Sequence, residues 1–173
     1  MVVAHLERWA NMKTRLMIIA VAAALIVRAD IVPPEKIYGR DLTDIVRQAR
    51  EVEAQKVSVE FPRAEGGIRV VKITSKGGAF QLSAESLALL KRAFLKESEE
   101  DQATKLCMPS PGIRYVFRSS SGRASVLVCY RCRIALIERD GQVVREAYVD
   151  HIIDDLRKVA GSFISADEVA KLP

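Results

Sequence analysis

Three cysteines are the most reactive side chains of this 173-residue sequence. Cys129 and Cys132 form a Cys-x-x-Cys pair inside the segment SVLVCYRCRIAL, residues 125–136, and Cys107 lies upstream. Cysteines at this spacing occur in thiol redox sites and in zinc sites, whereas cysteines in an oxidising compartment form structural disulfides. The types of residue around the cysteines indicate which of these three roles applies.

The segment 125–136 is rich in aliphatic residues and is interpreted as a β-strand. On a continuous strand, side chains three positions apart point to opposite faces, and their Cα atoms are about 10 Å apart. Because a disulfide requires Cα atoms within about 7 Å, we expect Cys107 to pair with Cys129 or Cys132. Such a bond would close a loop of about 22–25 residues and contribute roughly 3 kcal/mol to stability.

The choice of partner depends on which face of this strand is buried. The even-numbered side chains from Val126 to Leu136 form the more apolar face, and Cys132 is one of them. We therefore favour a Cys107–Cys129 disulfide on the wetter face, with Cys132 as a buried thiol. A Cys107–Cys132 disulfide is the alternative, and the odd thiol could instead join two chains.

A redox or zinc role requires a different local setting. Thioredoxin-type sites place Cys-x-x-Cys at the start of a helix, but strand residues flank this pair. Covalent haem attachment needs histidine directly after the second cysteine, where this sequence has Arg133. A zinc site could combine Cys107, Cys129, Cys132 and His151, although zinc pairs normally lie on a tight turn. Zinc binding and thiol redox chemistry are therefore the alternatives to a structural disulfide.

Residues 1–29 are typical of a secretory signal peptide. Lys13 and Arg15 form a short basic region before the apolar residues 16–27, and Val27-Arg28-Ala29 offers a cleavage site. This apolar run is shorter than the roughly 20 residues that span a bilayer. We expect cleavage, periplasmic or secreted localisation in a bacterium, and no membrane span afterwards. Cleavage near residues 22–24 and a start at Met12 are alternatives.

The charge balance changes once the signal segment is removed. It takes with it four of the 27 Lys and Arg residues and one of the 22 Asp and Glu residues, leaving 23 against 21. A nucleic-acid-binding protein requires a concentrated basic surface, so a nearly neutral remainder argues against that class.

Hydrophobic periodicity predicts the elements of the remaining chain. Helices are predicted over residues 41–56, with Asp41 as N-cap, 83–97, with Ser83 at its cap, and 150–163. Strands are predicted over 56–61, 68–74, 77–83, 113–118, 123–130, 132–138 and 143–147, with a hairpin turn at Asp140-Gly141.

This order predicts an α+β fold, an antiparallel β-sheet with helices packed on one face. Residues 30–40 are interpreted as an extended lead-in, 41–163 as a single domain and 164–173 as a C-terminal tail. The pattern hairpin, strand, helix occurs twice, over 57–97 and 113–160, and would fit a diverged duplication. Two smaller subdomains joined through 98–106 are the alternative.

One stretch resembles a known group of proteins. Cys107, Pro111-Gly112, Phe117 and the run Val126 to Cys132, followed by a hairpin and a terminal helix, resemble small exported bacterial proteins that share a Cys…Pro-Gly…Cys-x-x-Cys pattern and have no assigned function. The resemblance covers about residues 107–163. It implies that the three cysteines belong to one domain, and it carries over no catalytic residue.

No other motif indicates catalysis. The glycine pairs at 66–67 and 77–78 are too short to cradle phosphate, and Asp150, Asp154 and Asp155 beside His151 fit the start of a helix. We therefore expect an exported, disulfide-stabilised domain that needs no cofactor. It would bind a partner or ligand of unknown identity, or belong to the cell envelope, without acting as an enzyme.

Overall fold

A six-stranded antiparallel β-sheet organises the protein. The structure is a computed structural model that describes residues 31–61, 71–99 and 107–173. The strands are β1 Ile31–Val32, β2 Glu51–Glu60, β3 Lys72–Gln81, β4 Ser98–Glu99, β5 Ile113–Ser119, β6 Gly122–Cys129, β7 Ile134–Arg139 and β8 Gln142–Tyr148. The large sheet has the order β3-β2-β5-β6-β7-β8, and β1 and β4 form a separate two-stranded sheet.

The helices pack on one face of the large sheet, as predicted. They are α1 Pro34–Tyr38, α2 Arg40–Gln48, α3 Ala84–Phe94, α4 Ile153–Ala160 and α5 Ala166–Ala170, with a 3₁₀ turn over Asp150–Ile152. The described residues from Val32 to Pro173 form one compact unit. Within the described part of the chain, no helix has the length and apolar character needed to cross a membrane.

The main core lies between this helical layer and the sheet. Its centre contains Phe94 of α3, Phe117 of β5 and Leu156 of α4, all buried. The hydroxyl oxygens of Tyr115 and Tyr130 are 2.7 Å apart, and each lies within 3.5 Å of the Leu156 carbonyl oxygen. Burial raises the pKa of both tyrosines, so they remain neutral hydrogen-bonding groups that join the sheet to α4.

The opposite face of the sheet is also apolar. A second cluster of buried side chains lies there, and it consists of Val57, Leu127, Cys129, Cys132, Ile134 and Leu136. At its margin, the buried carboxylate of Glu138 forms an ion pair with Arg114 and accepts a hydrogen bond from the Gly141 N–H at 3.1 Å. The central strands β6 and β7 are therefore buried on both faces.

Several predicted elements are confirmed. Helix α3 begins after Ser83, whose Oγ accepts a hydrogen bond from the Ser86 N–H. Strands β5 to β8 lie close to their predicted positions, and Asp140 and Gly141 form the predicted turn with φ values of 51° and 81°. Positive φ at both positions is the conformation that favours Asp-Gly in tight hairpins.

The helix predicted over 41–56 is wrong in its second half. Helix α2 ends at Gln48, and Glu51–Glu60 is a strand that pairs with both β3 and β5. The predicted N-cap is also wrong, because Gly39 occupies that position and Asp41 lies in the first turn. Backbone hydrogen bonds to two neighbouring strands override a weak helical pattern.

Two separate strands are predicted at 68–74 and 77–83, of which residues 68–70 lie outside the described part of the chain. In the described part a single strand, β3, runs through both predictions from Lys72 to Gln81. The register between β2 and β3 shifts at Gly77-Gly78, where the strand bulges instead of ending. The duplication stays a prediction that nothing in the structure confirms.

The flanking segments are more ordered than expected. The lead-in predicted as extended contains helix α1, and Tyr38 packs into the core. The segment predicted as a tail contains α5, which carries a Ser165–Glu168 capping box. The hydrogen bond from Lys56 at 2.7 Å lowers the pKa of Glu168 to about 2 and links α5 to β2. The predicted signal peptide lies outside the described residues.

Replacing Leu156 tests the main core. Leu156→Ala should lower the free energy of unfolding by about 2–5 kcal/mol, because it leaves a cavity between α4 and the sheet. The control Met108→Ala removes a side chain that is 76% exposed and should change stability by less than about 0.5 kcal/mol. Urea denaturation of both variants measures the difference, and equal losses would contradict the assigned core.

Candidate functional site

The cysteines form a compact cluster at one end of strands β6 and β7. Cys107 and Cys132 are joined by a disulfide with a Cα–Cα distance of 6.0 Å, and Cys129 is a buried free thiol. The favoured Cys107–Cys129 pairing is therefore wrong, and the alternative pairing is the one present. The disulfide closes a segment of 25 residues and ties the loop that begins at Cys107 to the sheet.

A tight turn explains why the pairing differs. Residues 130–133 form the turn between β6 and β7, and Arg133 has a φ of 55°. The chain therefore does not run as one strand from 125 to 136, and the alternation of faces breaks between Cys129 and Cys132. Both cysteines lie in the second apolar cluster, on the same side of the sheet.

Cys129 occupies a defined position beside the disulfide. Its Sγ accepts hydrogen bonds from the backbone N–H of Cys132 at 3.3 Å and of Ser110 at 3.4 Å. These two bonds connect the β6–β7 turn and the loop after Cys107 to one sulfur.

The four residues considered for zinc are not assembled into a site. The sulfurs of Cys107 and Cys132 are bonded to each other, and among the described residues no group of three or more Cys, His, Asp or Glu side chains is placed to hold a metal ion. His151 instead contacts Tyr38, whose hydroxyl lies 3.3 Å from Nε2 and whose ring stacks on the imidazole.

Burial governs the protonation of His151. Desolvation lowers its pKa, the nearby Lys96 ammonium lowers it further, and Asp150 opposes both effects.

The 3₁₀ turn of His151 leads into α4, where Asp154 and Asp155 pair with Arg157 and Lys158. The acidic residues at this helix start therefore form ordinary surface ion pairs.

A second candidate site is a cleft of about 350 Å³ between the α1–α2 junction and the β7–β8 hairpin. We call it the arginine cleft. Four arginines line it: Arg40, Arg123, Arg139 and Arg145. The apolar part of its wall consists of Leu42, Ile45, Ala124, Ile137 and Val144.

Two of these arginines have identified partners. Arg139 forms an ion pair with Asp41, which connects the end of β7 to the first turn of α2. Arg145 donates from Nη1 to the carbonyl oxygen of Lys36 at 2.9 Å, near the end of α1. A side chain at Gly39, which has a φ of 88°, would place its Cβ 3.6 Å from the Arg145 Nε.

A broader basic cleft lies beside α4 and α5. Its lining includes Arg131, Arg133, Arg157, Lys158 and Lys171. Nearby carboxylates neutralise three of these charges, since Arg133 pairs with Asp150, Arg157 with Asp154 and Lys158 with Asp155.

Sequence reasoning did not identify the arginine cleft. Its arginines come from separate helices and strands and share no regular spacing, and the near-neutral charge of the chain without residues 1–29 gives no sign of a local basic surface. Tertiary packing brings them together, since α1 packs against β8 and α2 packs against β6.

No protein family, curated protein or solved structure matches this chain. The similarity to exported bacterial proteins with a Cys…Pro-Gly…Cys-x-x-Cys pattern therefore stays a prediction.

Removal of the disulfide should destabilise the fold. The double replacement Cys107→Ser with Cys132→Ser should lower the free energy of unfolding by about 3–4 kcal/mol, the chain-entropy value for a loop of this length. Cys129→Ala keeps the disulfide and should cost less, because it removes only one buried sulfur atom. Urea denaturation measures the free energy of unfolding of both variants. A larger decrease in Cys129→Ala than in the double variant would contradict the Cys107–Cys132 disulfide as the stabilising cross-link.

Acidification should weaken the fold through His151. Because its pKa is lowered in the folded state, the unfolded chain takes up a proton more readily, and stability decreases as the pH falls below about 6.5. His151→Gln should show a smaller decrease between pH 7.5 and pH 5.5. Urea midpoints at several pH values measure both slopes, and parallel slopes would show that His151 does not contribute.

Proposed function

We propose that this protein is an exported, disulfide-stabilised domain that works by binding rather than by catalysis. The observation that carries the proposal is the Cys107–Cys132 disulfide. Structural disulfides persist in oxidising compartments such as the bacterial periplasm, and the signal-like residues 1–29 predict the same destination.

The arginine cleft supports binding as the activity. Arginine side chains stay protonated and act as hydrogen-bond donors, so they hold anionic groups but do not serve as proton acceptors. Apolar side chains complete the lining of this cleft. A concave surface with an apolar wall and a few charged groups is typical of a ligand site.

Cell fractionation with thiol counting tests the export proposal. We expect the protein in the periplasm or medium, with an N-terminus near residue 30. When it is unfolded without reductant, alkylation should modify Cys129 alone, and after reduction it should modify all three cysteines. Cytoplasmic protein that retains residues 1–29, or three thiols that react before reduction, would reject the proposal.

A second candidate function is thiol–disulfide exchange. The position of Cys129 favours it, because this free thiol accepts a hydrogen bond from the backbone N–H of the disulfide-bonded Cys132 at 3.3 Å. In this step the Cys129 thiolate attacks the Cys132 sulfur, a Cys129–Cys132 bond forms, and the Cys107–Cys132 bond breaks. Cys107 leaves as a thiolate and takes a proton from water, so no external oxidant or reductant is needed.

Peptide mapping distinguishes exchange from a static disulfide. The native protein is incubated with iodoacetamide at pH 8 and then digested under acid conditions. Exchange predicts alkylated Cys107 together with a Cys129–Cys132 bond. Cys129→Ala removes the attacking thiol and should leave Cys107 unmodified. Equal Cys107 modification in both proteins would reject exchange.

A further inference from the structure

The arginine cleft has more positive charge than its carboxylates neutralise. Arg139 is paired with Asp41, and the Glu138 carboxylate is paired with Arg114. The partner of Arg145 is a backbone carbonyl group, which leaves its charge uncompensated.

The remaining two arginines differ from these. Across the described residues, the side chains of Arg40 and Arg123 form neither a hydrogen bond nor an ion pair. Arg40 acts on Glu35 only through space, and that carboxylate is already bound by Arg47 at 2.8 Å. Three guanidinium groups of the cleft can therefore receive an anion without breaking an ion pair.

The Arg139–Asp41 pair shows what such an anion would resemble. Two residues that line the cleft already form a carboxylate–guanidinium pair, so a carboxylate head is chemically compatible with this lining. Arginine binds carboxylate and phosphate groups with charge-assisted hydrogen bonds, which are stronger than neutral ones.

The rest of the lining is suited to an apolar body. Leu42, Ile45, Ala124 and Ile137 border the cleft, and Val144 is 59% exposed there. Val144 is the extra residue where the register of β8 shifts against β7. Bulges of this kind often place a side chain at a functional site. The volume of about 350 Å³ lies at the lower end of the range of about 300–1,000 Å³ for small-ligand pockets.

We propose that the arginine cleft binds a small organic anion that carries an apolar chain, with the anionic head on Arg40 and Arg145 and the chain against the apolar wall. This assignment rests on the binding role proposed above and names its ligand class. The second basic cleft is the weaker candidate, because most of its cations are already ion-paired.

Calorimetric titration of the full chain with its disulfide intact tests the assignment. The probes are octanoate and octyl phosphate as carboxylate and phosphate forms of the head, with octan-1-ol as the neutral analogue. We expect both anions to bind, and octan-1-ol to bind more than about tenfold more weakly, as expected for the loss of a charge-assisted hydrogen bond. The tighter anion identifies the preferred head.

Matched arginine variants locate the site. Arg40→Gln and Arg145→Gln should each weaken octanoate binding by about tenfold. Arg131→Gln removes the same charge from the second basic cleft and should leave affinity within about twofold of the unchanged protein. Thermal melting confirms that each variant is folded. Arg40→Gln is the more informative, because among the described residues the Arg40 side chain forms no hydrogen bond or ion pair that its replacement would break.

Three outcomes would overturn the assignment. They are no binding of either anion, equal binding of octan-1-ol, and a loss in Arg131→Gln that matches the loss in Arg40→Gln. None of these outcomes depends on the cellular location of the protein or on its number of free thiols. The titration can therefore reject the ligand assignment while the fractionation experiment still supports export.

Discussion

Two-sided burial of the central strands is the constraint on which the structure depends. Val126 and Leu127 are adjacent in β6, their side chains point to opposite faces, and both are fully buried. The sheet must therefore be covered twice. Helices cover one face, where Tyr115 and Tyr130 fix α4 to the strands. On the other face the disulfide holds the Cys107 loop against the second apolar cluster, so the cross-link belongs to the packing of the sheet.

Local signals predicted the elements that depend on local physics. Helix α3 has a serine cap and a regular apolar stripe, and the Asp140-Gly141 turn needs only residues that tolerate positive φ. The strand predicted over 56–61 is confirmed as the second half of β2, whereas the first half is predicted as helix because Val52 continues the apolar spacing of α2. Its strand character comes from ladders with β3 and β5, partners that are distant in sequence. The residues near β2 in the sequence therefore cannot indicate that this segment pairs as a strand.

The sequence predicted that the three cysteines form one site, but it did not predict which two of them form the disulfide. The cysteines were recognised as one set, and the structure places them together. The preferred pairing failed because a strand that is buried on both faces shows no alternation that marks its solvent-exposed side, and because the chain leaves the strand after Cys129 and turns over residues 130–133. The arginine cleft depends on tertiary packing alone, since its lining comes from separate helices and strands.

The irregularities in the outermost strands bear on how the protein behaves when concentrated. An edge strand exposes unpaired backbone groups that can recruit a strand from another molecule and start aggregation. Both edges of this sheet are interrupted: β3 bulges at Gly77-Gly78, and β8 shifts register beside Val144. Neither edge therefore offers a long, regular row of hydrogen-bonding groups to a neighbouring chain. These bulges interrupt the regular alternation of side chains along β3 and β8. They also hinder the backbone pairing of a further strand with either edge of the sheet.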